Sequence, residues 1–166
     1  VGAVENTFDP VTAIGTYSDL SQLVTGTPGW AAQPAGSTGY YLSVGPSGDQ
    51  PASQTLSFGA GASYFGFLWG SPDNYNTLTV TTNLAEYAYT GALIMSSPDG
   101  DRAVSGYANF TAGAGEVIQS VMWQSTSDAF ETDNHAVIAV PEPETYALML
   151  AGLAAVGFIA RRRRVV

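Results

Sequence analysis

Residues with catalytic chemistry are few in this chain. His135 is the only histidine, with Asp133 two residues before it. The stretch GASYFG at 61–66 lacks the G-x-S-x-G spacing that exposes a nucleophilic serine. A single histidine without cysteine does not build a zinc site, so we expect His135 to be a strand residue with a backbone partner. The sequence predicts a protein that is not an enzyme; only paired acids, as in glycoside hydrolases, stay open as an alternative.

Asp99 and Asp101 flank Gly100 in the segment SSPDGDR at 96–102. Oxygen ligands at alternating positions suit Ca²⁺, but this segment lacks the later glutamate of an EF-hand loop. A plain hairpin turn is therefore the favoured interpretation. We expect no cofactor and no metal, with Ca²⁺ on Asp99 and Asp101 as a weak alternative.

Tyr87 and Tyr89 are separated by one residue in EYAYT, so on a strand their rings project from the same face. Aromatic rings placed in this way can stack on sugar rings, which makes both tyrosines candidate glycan contacts. Ordinary packing on the sheet surface is the favoured alternative.

Short stretches rich in Tyr, Phe, Val, Ile and Thr recur between clusters of Gly, Pro, Asp and Asn. This spacing predicts an all-β fold, namely an antiparallel β-sandwich or jelly-roll-like domain. The predicted strands are 40–44, 54–58, 63–69, 77–82, 86–90, 106–111, 117–125 and 135–140. The predicted core consists of Leu56, Phe58, Phe65, Phe67, Trp69, Leu78, Val80, Ile118, Val121, Trp123, Val137 and Ile138. Gly and Pro dominate 25–39, where no regular strand is expected.

The charge of the first 140 residues is strongly negative. They hold twelve acids and a single base, Arg102, while lysine and cysteine are absent from the whole chain. Such a domain repels nucleic acid and anionic lipid, so we expect no nucleic-acid partner. We expect residues 1–140 to form one β-sandwich domain and residues 141–166 to form a separate tail.

The tail consists of Pro141, Glu142 and Pro143, an apolar run, and the arginine cluster at 161–164. Residues 145–160 are predicted to be a single hydrophobic helix. Its fifteen residues from 146 to 160 span about 22 Å, which makes it a marginal transmembrane helix for a hydrocarbon core of ~30 Å. Acids before the run and arginines after it place the arginines in the cytoplasm as an anchor. The predicted membrane or assembly contacts are Tyr146, Leu148, Leu150, Ala151, Leu153, Ala155 and Phe158, and the anchor residues are Arg161, Arg162, Arg163 and Arg164.

A helix buried in a soluble protein is the alternative for this run, and the four arginines directly after it argue against that alternative.

The order Val140-Pro141-Glu142-Pro143-Glu144, a short apolar segment and a terminal arginine cluster resembles the PEP-CTERM sorting signal of Gram-negative bacteria. The resemblance covers about the last 26 residues. It implies export, transient anchoring in the inner membrane, processing near Pro-Glu-Pro by an exosortase, and a final location at the cell surface or outside the cell.

A second resemblance lies inside the predicted domain, in the stretch YFGFLWGSPDNYNTLTV at 64–80. From the residues alone this stretch is two core strands joined by a turn, in which Pro72 presets the turn and Asp73 bonds back to the backbone. The block Phe65–Leu78 is also similar to one in a family of exosortase-dependent surface proteins, to which no activity is assigned. The resemblance implies location and fold rather than mechanism.

Three functions are compatible with these observations. The leading one is a non-enzymatic surface or extracellular-matrix protein of a biofilm, which acts by cohesion or by assembly into homo-oligomers or filaments. The second is a carbohydrate-binding β-sandwich that holds cells to exopolysaccharide. A hydrolase is the third, and the small inventory of catalytic residues makes it the weakest.

Overall fold

A computed structural model describes residues 2–20, 23–141 and 143–163, without the side chains of 143–146, 157–158 and 162–163. Within these ranges the fold consists of β-strands followed by one helix. The strands are β1 (Val4–Asn6), β2 (Thr16–Tyr17), β3 (Leu23–Thr25), β4 (Tyr40–Val44), β5 (Ser53–Gly70), β6 (Asn76–Thr82), β7 (Glu86–Thr90), β8 (Ser105–Thr111), β9 (Ile118–Ser125) and β10 (Phe130–Ala139). A 3₁₀ turn covers Gly91–Leu93, and helix α1 covers Pro143–Arg163.

The long strand β5 belongs to both layers of the fold. Its first part lies between β2 and β9, since Ser57 is paired with Thr16 on one edge and Ser120 on the other. Its second part lies between β10 and β8, since Trp69 is paired with Thr132 and Gly106. All pairings are antiparallel. One layer is therefore β2-β5-β9-β6-β7, and the other joins β3, β4, β10, β5 and β8, with β1 beside β10.

A bulge in the middle of β5 takes the strand from one layer to the other. Between the pairs Ser57↔Ser120 and Ala62↔Ile118, four residues of β5 stand opposite the single residue Gln119. Just after it the inward-facing positions change from Leu56, Phe58 and Ala62 to Phe65, Phe67 and Trp69, where the register with β10 also shifts. Extra residues on one strand of a pair bend that strand and increase its twist, which folds the sheet over onto itself.

The core between the layers is aromatic. Trp123 of β9 packs edge-on against Phe67 of the other layer, with ring centroids 5.8 Å apart, and Trp69 stacks on Phe130 at 4.3 Å. Eleven of the twelve predicted core residues are in this cluster. The prediction was wrong for Ile138, which is half-buried because its neighbour Val137 takes the inward side of the strand.

The predicted all-β, antiparallel fold is confirmed, with differences in the elements. The stretches 54–58 and 63–69, predicted as separate strands, are both parts of β5. The short strands β1, β2 and β3 were not predicted, and β10 begins five residues before its predicted start. The segment 25–39 was expected to have no regular strand; Thr25 is the last residue of β3, and 26–39 has none.

Helix α1 is longer than the predicted 145–160. It begins at Pro143, and proline is tolerated at a first helical position because that amide has no partner within the helix. Every described side chain of α1 is exposed, including Leu148 at 74 % and Leu153 at 63 %. Among the residues that the structure describes, no helix has both the length and the apolar character needed to cross a membrane.

Gly61 is the last residue of the bulge in β5. Substituting it tests whether the stability of the fold depends on the bend that this bulge produces. Its φ of +98° disfavours any other residue, and an added Cβ would lie 3.0 Å from the Val117 side chain. We expect Gly61→Ala to lower the free energy of unfolding by about 1–3 kcal/mol in urea denaturation. Gly29→Ala is the matched control, because no atom lies within 4 Å of its added Cβ. Equal stability of the two variants would contradict this role of the bend.

Candidate functional site

His135 lies in the aromatic core. It is fully buried and stacks on Trp123, with ring centroids 4.8 Å apart. Its Nδ1 is 2.8 Å from the Tyr17 hydroxyl and its Nε2 is 2.8 Å from the Thr132 hydroxyl. It is a strand residue as predicted, but these partners are side chains instead of the expected backbone group. Burial lowers the pKa of His135 to about 3, so the ring is neutral at physiological pH.

Asp133 is separated from His135 by a bulge in β10. The register shifts between Asp133 and Ala136, and Asn134 has a φ of +50°. This extra residue puts Thr132, rather than Asp133, on the same face as the imidazole. The Asp133 carboxylate accepts a hydrogen bond from the Asn134 amide at 2.7 Å, and burial raises its pKa to about 6. Asp133 and His135, two residues apart in the sequence, therefore have different hydrogen-bond partners.

A polar pocket of about 210 Å³ lies beside the turn between β5 and β6. Glu131 lines this pocket. Its carboxylate accepts hydrogen bonds from the Ser71 hydroxyl at 2.6 Å and the Ala32 amide at 2.7 Å. Tyr75 donates its hydroxyl proton to the carbonyl of Asp128 at 2.8 Å. Burial raises the pKa of both Glu131 and Asp73, and the nearby charge of Asp99 adds to the shift of Asp73. The Glu131 carboxylate is thus held by donors of the fold itself.

Asp99 and Asp101 have different partners in the structure. Asp99 forms an isolated antiparallel bridge with Asp73 and lines the polar pocket. Asp101 instead accepts a hydrogen bond from the Ala103 amide at 2.9 Å within its own turn. In the described ranges no three His, Cys, Asp or Glu side chains are grouped so that they could hold a metal ion. The Ca²⁺ alternative on Asp99 and Asp101 stays a prediction.

Tyr87 and Tyr89 line a cleft of about 410 Å³ between the edge strands β7 and β8. They are the cross-strand partners of Val80 and Leu78, so they lie on the core-facing side of the sheet where the two layers part. Tyr89 packs against Phe110 of β8, with centroids 5.1 Å apart. Tyr87 remains 41 % exposed. The structure therefore brings the two predicted glycan contacts into one cleft.

Glu116 is a residue of this cleft that the sequence did not indicate. One carboxylate oxygen accepts the Tyr87 hydroxyl proton at 3.2 Å, and the other accepts the Gly113 amide at 3.1 Å. Thr82, the Gly113 amide and Tyr87 lower the pKa of Glu116, which stays ionised. The contact joins positions 29 residues apart, and no local pattern encodes it.

The tail follows the last strand directly. The Val140 amide donates to the carbonyl of Gly61 at 2.9 Å, which ties the end of β10 to the bend of β5. Leu148, Leu150, Ala151, Leu153 and Ala155 are exposed on α1, and so is Arg161. Glu142 and Arg164 lie outside the described residues, as do the side chains of Pro143, Tyr146, Phe158, Arg162 and Arg163.

Comparison with known families identifies this tail. The family model described as the PEP-CTERM protein-sorting motif matches residues 139–164. The chain carries a PEP-CTERM sorting signal. The signal implies recognition by an exosortase, export and sorting to the cell surface. No curated protein and no solved structure matches the chain. The resemblance of the block Phe65–Leu78 to exosortase-dependent surface proteins stays a prediction.

The buried state of His135 has a measurable consequence for stability. Its pKa is about 3 in the folded protein and 6.5 in an ordinary histidine, so the unfolded chain binds the extra proton between these values. Stability contributed by neutral His135 is complete above about pH 6.5 and is lost as the pH falls towards 3. We expect wild-type protein to lose stability more steeply over this window than His135→Phe, which does not titrate.

Urea denaturation between pH 7 and pH 4 measures the difference. The raised pKa of Asp133 acts in the opposite direction, because that carboxyl favours folding when protonated, but it is present in both proteins and largely cancels. At pH 7 the variant should be less stable by about 1–3 kcal/mol, since the hydroxyls of Tyr17 and Thr132 each lose a partner. Identical pH slopes in the two proteins would show that His135 is not buried and neutral.

Proposed function

We propose that this protein is a non-enzymatic surface or matrix protein, whose acidic β-sandwich domain is delivered by its PEP-CTERM tail. The observation that carries the proposal is the junction at Val140, where the sorting motif follows the last strand of the sandwich without a linker domain. In support, the only histidine is sealed between aromatic rings, and Glu131 and Asp133 are held by protein hydrogen bonds.

The tail serves as a transient anchor in the inner membrane in this proposal. The described side chains of α1 are exposed and, up to the arginines, apolar or small, which is unfavourable in water. Arg161, with the arginines that follow it in the sequence, provides a cluster that stays at the cytoplasmic surface. Arginine stems that extend towards the headgroups lengthen the reach of a short apolar run.

Removal of the tail tests whether sorting and folding are separate. A chain ending at Val140 should stay in solution without detergent, show a β-sheet circular dichroism spectrum and melt in one cooperative transition. The full chain, prepared in the same way, should partition into detergent micelles or membranes. A truncated chain that is unfolded or insoluble would contradict the separation between domain and tail.

Self-assembly is a second way to cover α1. Ala147, Ala151 and Ala155 are exposed and lie four residues apart, so a second helix can approach closely along them. A head-to-tail interface that does not close would produce filaments, although the charge of the acidic domains opposes it unless salt or divalent cations screen the repulsion.

Electron microscopy of detergent-free protein with divalent cations tests the assembly. Fibres are expected for the wild type and should disappear in Ala151→Glu, because a carboxylate is costly to bury between helices. Leu84→Glu, at a residue 69 % exposed in the turn between β6 and β7, is the control for added charge. Dispersed wild-type particles would exclude filament formation by α1.

A second candidate function is the binding of exopolysaccharide. The specific observation in its favour is the cleft between β7 and β8, where Tyr87 presents an exposed ring beside an ionised carboxylate.

A further inference from the structure

The cleft between β7 and β8 opens where the two layers part. Both strands are edge strands, so the two layers have no further strand to cover their inner faces at this side. Val80 of β6 packs in the core, and its cross-strand partner Tyr87 lies on the same face of the sheet at the outer strand β7. Side chains on this face are therefore buried on β6 but line the open cleft on β7.

The wall of the cleft is held in place. Tyr89 is fixed by contact with Phe110, and the Tyr87 hydroxyl is held by Glu116. Glu116 is itself fixed by the Gly113 amide at 3.1 Å. Rings held in this way lose little conformational freedom when a ligand binds, which favours affinity.

The chemistry of the cleft selects among ligands. An aromatic face attracts C–H groups, whereas the Glu116 carboxylate accepts hydrogen bonds from hydroxyl groups. None of the described residues that line the cleft is basic, and Glu116 is ionised, so anionic ligands are repelled. A pyranose ring has C–H groups on one face and hydroxyls at its edge, which complements this combination.

The spacing of the tyrosines indicates the length of the ligand. Residues i and i+2 on a strand are roughly 6.7 Å apart. A sugar ring stacked on each of Tyr87 and Tyr89 would therefore make the ligand at least a disaccharide. The cleft volume of about 410 Å³ lies within the range of small-molecule sites.

We infer that the cleft between β7 and β8 binds an uncharged oligosaccharide chain, with Tyr87 and Tyr89 as the stacking platform and Glu116 as a hydroxyl acceptor. This inference rests on the second candidate function above and specifies its site and ligand class. Exosortase-dependent sorting does not depend on it, since the sorting signal lies in the tail.

Affinity electrophoresis of the full chain tests the inference. The protein is solubilised in a polyoxyethylene detergent, because maltoside and glucoside detergents carry sugars that would compete for the cleft. Native gels contain dextran, soluble starch, xylan or hydroxyethyl cellulose as neutral probes, and alginate as an acidic probe. We expect retardation by at least one neutral polysaccharide and none by alginate. Retardation by no neutral polysaccharide, or by alginate alone, would overturn the inference.

Variants locate the site. Tyr87→Ala should weaken binding at least about fivefold, and Tyr87→Phe should retain more binding because the stacking face remains. Glu116→Gln should keep part of the affinity, since an amide oxygen still accepts hydrogen bonds. Tyr40→Ala is the matched control, because Tyr40 is 46 % exposed and lies outside the cleft. Equal loss in Tyr40→Ala and Tyr87→Ala would place binding elsewhere.

A cationic ligand is the competing occupant, since tyrosines beside a carboxylate also attract quaternary ammonium groups. Isothermal titration with choline distinguishes the two. Choline binding that is lost in both Tyr87→Ala and Glu116→Gln, without retardation by neutral polysaccharide, would overturn the sugar assignment. Failure of both ligands would leave the sorted, non-enzymatic protein proposed above unchanged while excluding this site.

Discussion

The strand β5 is the constraint on which the rest of this structure depends. Its eighteen residues run through both layers, and its inward-facing positions switch from even to odd numbers between Ala62 and Phe65. Because the same strand carries Leu56 in one layer and Phe67 in the other, the two halves of the core are held together by covalent connection as well as by packing. The edges left uncovered by this arrangement, β7 and β8, form the cleft.

Polar residues near β5 hold the far end of the strand in place. Ser71 reaches Glu131 and Tyr75 reaches Asp128, so the turn after β5 is bonded to the chain that enters β10. Asn76 donates to the Ala129 carbonyl at 3.1 Å and accepts from the Ser125 hydroxyl at 2.8 Å. The block at 64–80 is thus explained by structure, and satisfied polar groups of this kind specify one arrangement of a core.

The sequence was informative where the signal is local. Alternating apolar residues located β4, β6 and β7 to within about a residue, and the composition of 141–166 located the sorting signal. It was uninformative where the signal depends on distant contacts. The continuity of β5 was missed because Gly59, Ala60 and Gly61 have the composition of a turn, yet here they form a bulge within a strand. Strands as short as β2 contain too few residues to show a period.

The candidate site was predictable only in part, for the same reason. Tyr87 and Tyr89 could be found because period two places them on one face. Glu116 could not, since the loop that carries it meets β7 only in the folded protein. His135 has two hydrogen-bond partners. Tyr17 is 118 residues away in the sequence, and Thr132 lies on the other side of the bulge in β10. Sequence patterns show which residues share one face of a strand, but the fold determines which of these faces pack together.

The intact mass of the protein recovered from its native cells and from their medium tests the central claim most directly. For a chain sorted by the PEP-CTERM signal at 139–164, we expect the species in the medium or at the cell surface to end near Pro143, without the apolar helix and the arginines. Full-length chain in the membrane fraction would be its precursor. Surface or medium protein that still ends at Val166 would contradict the account.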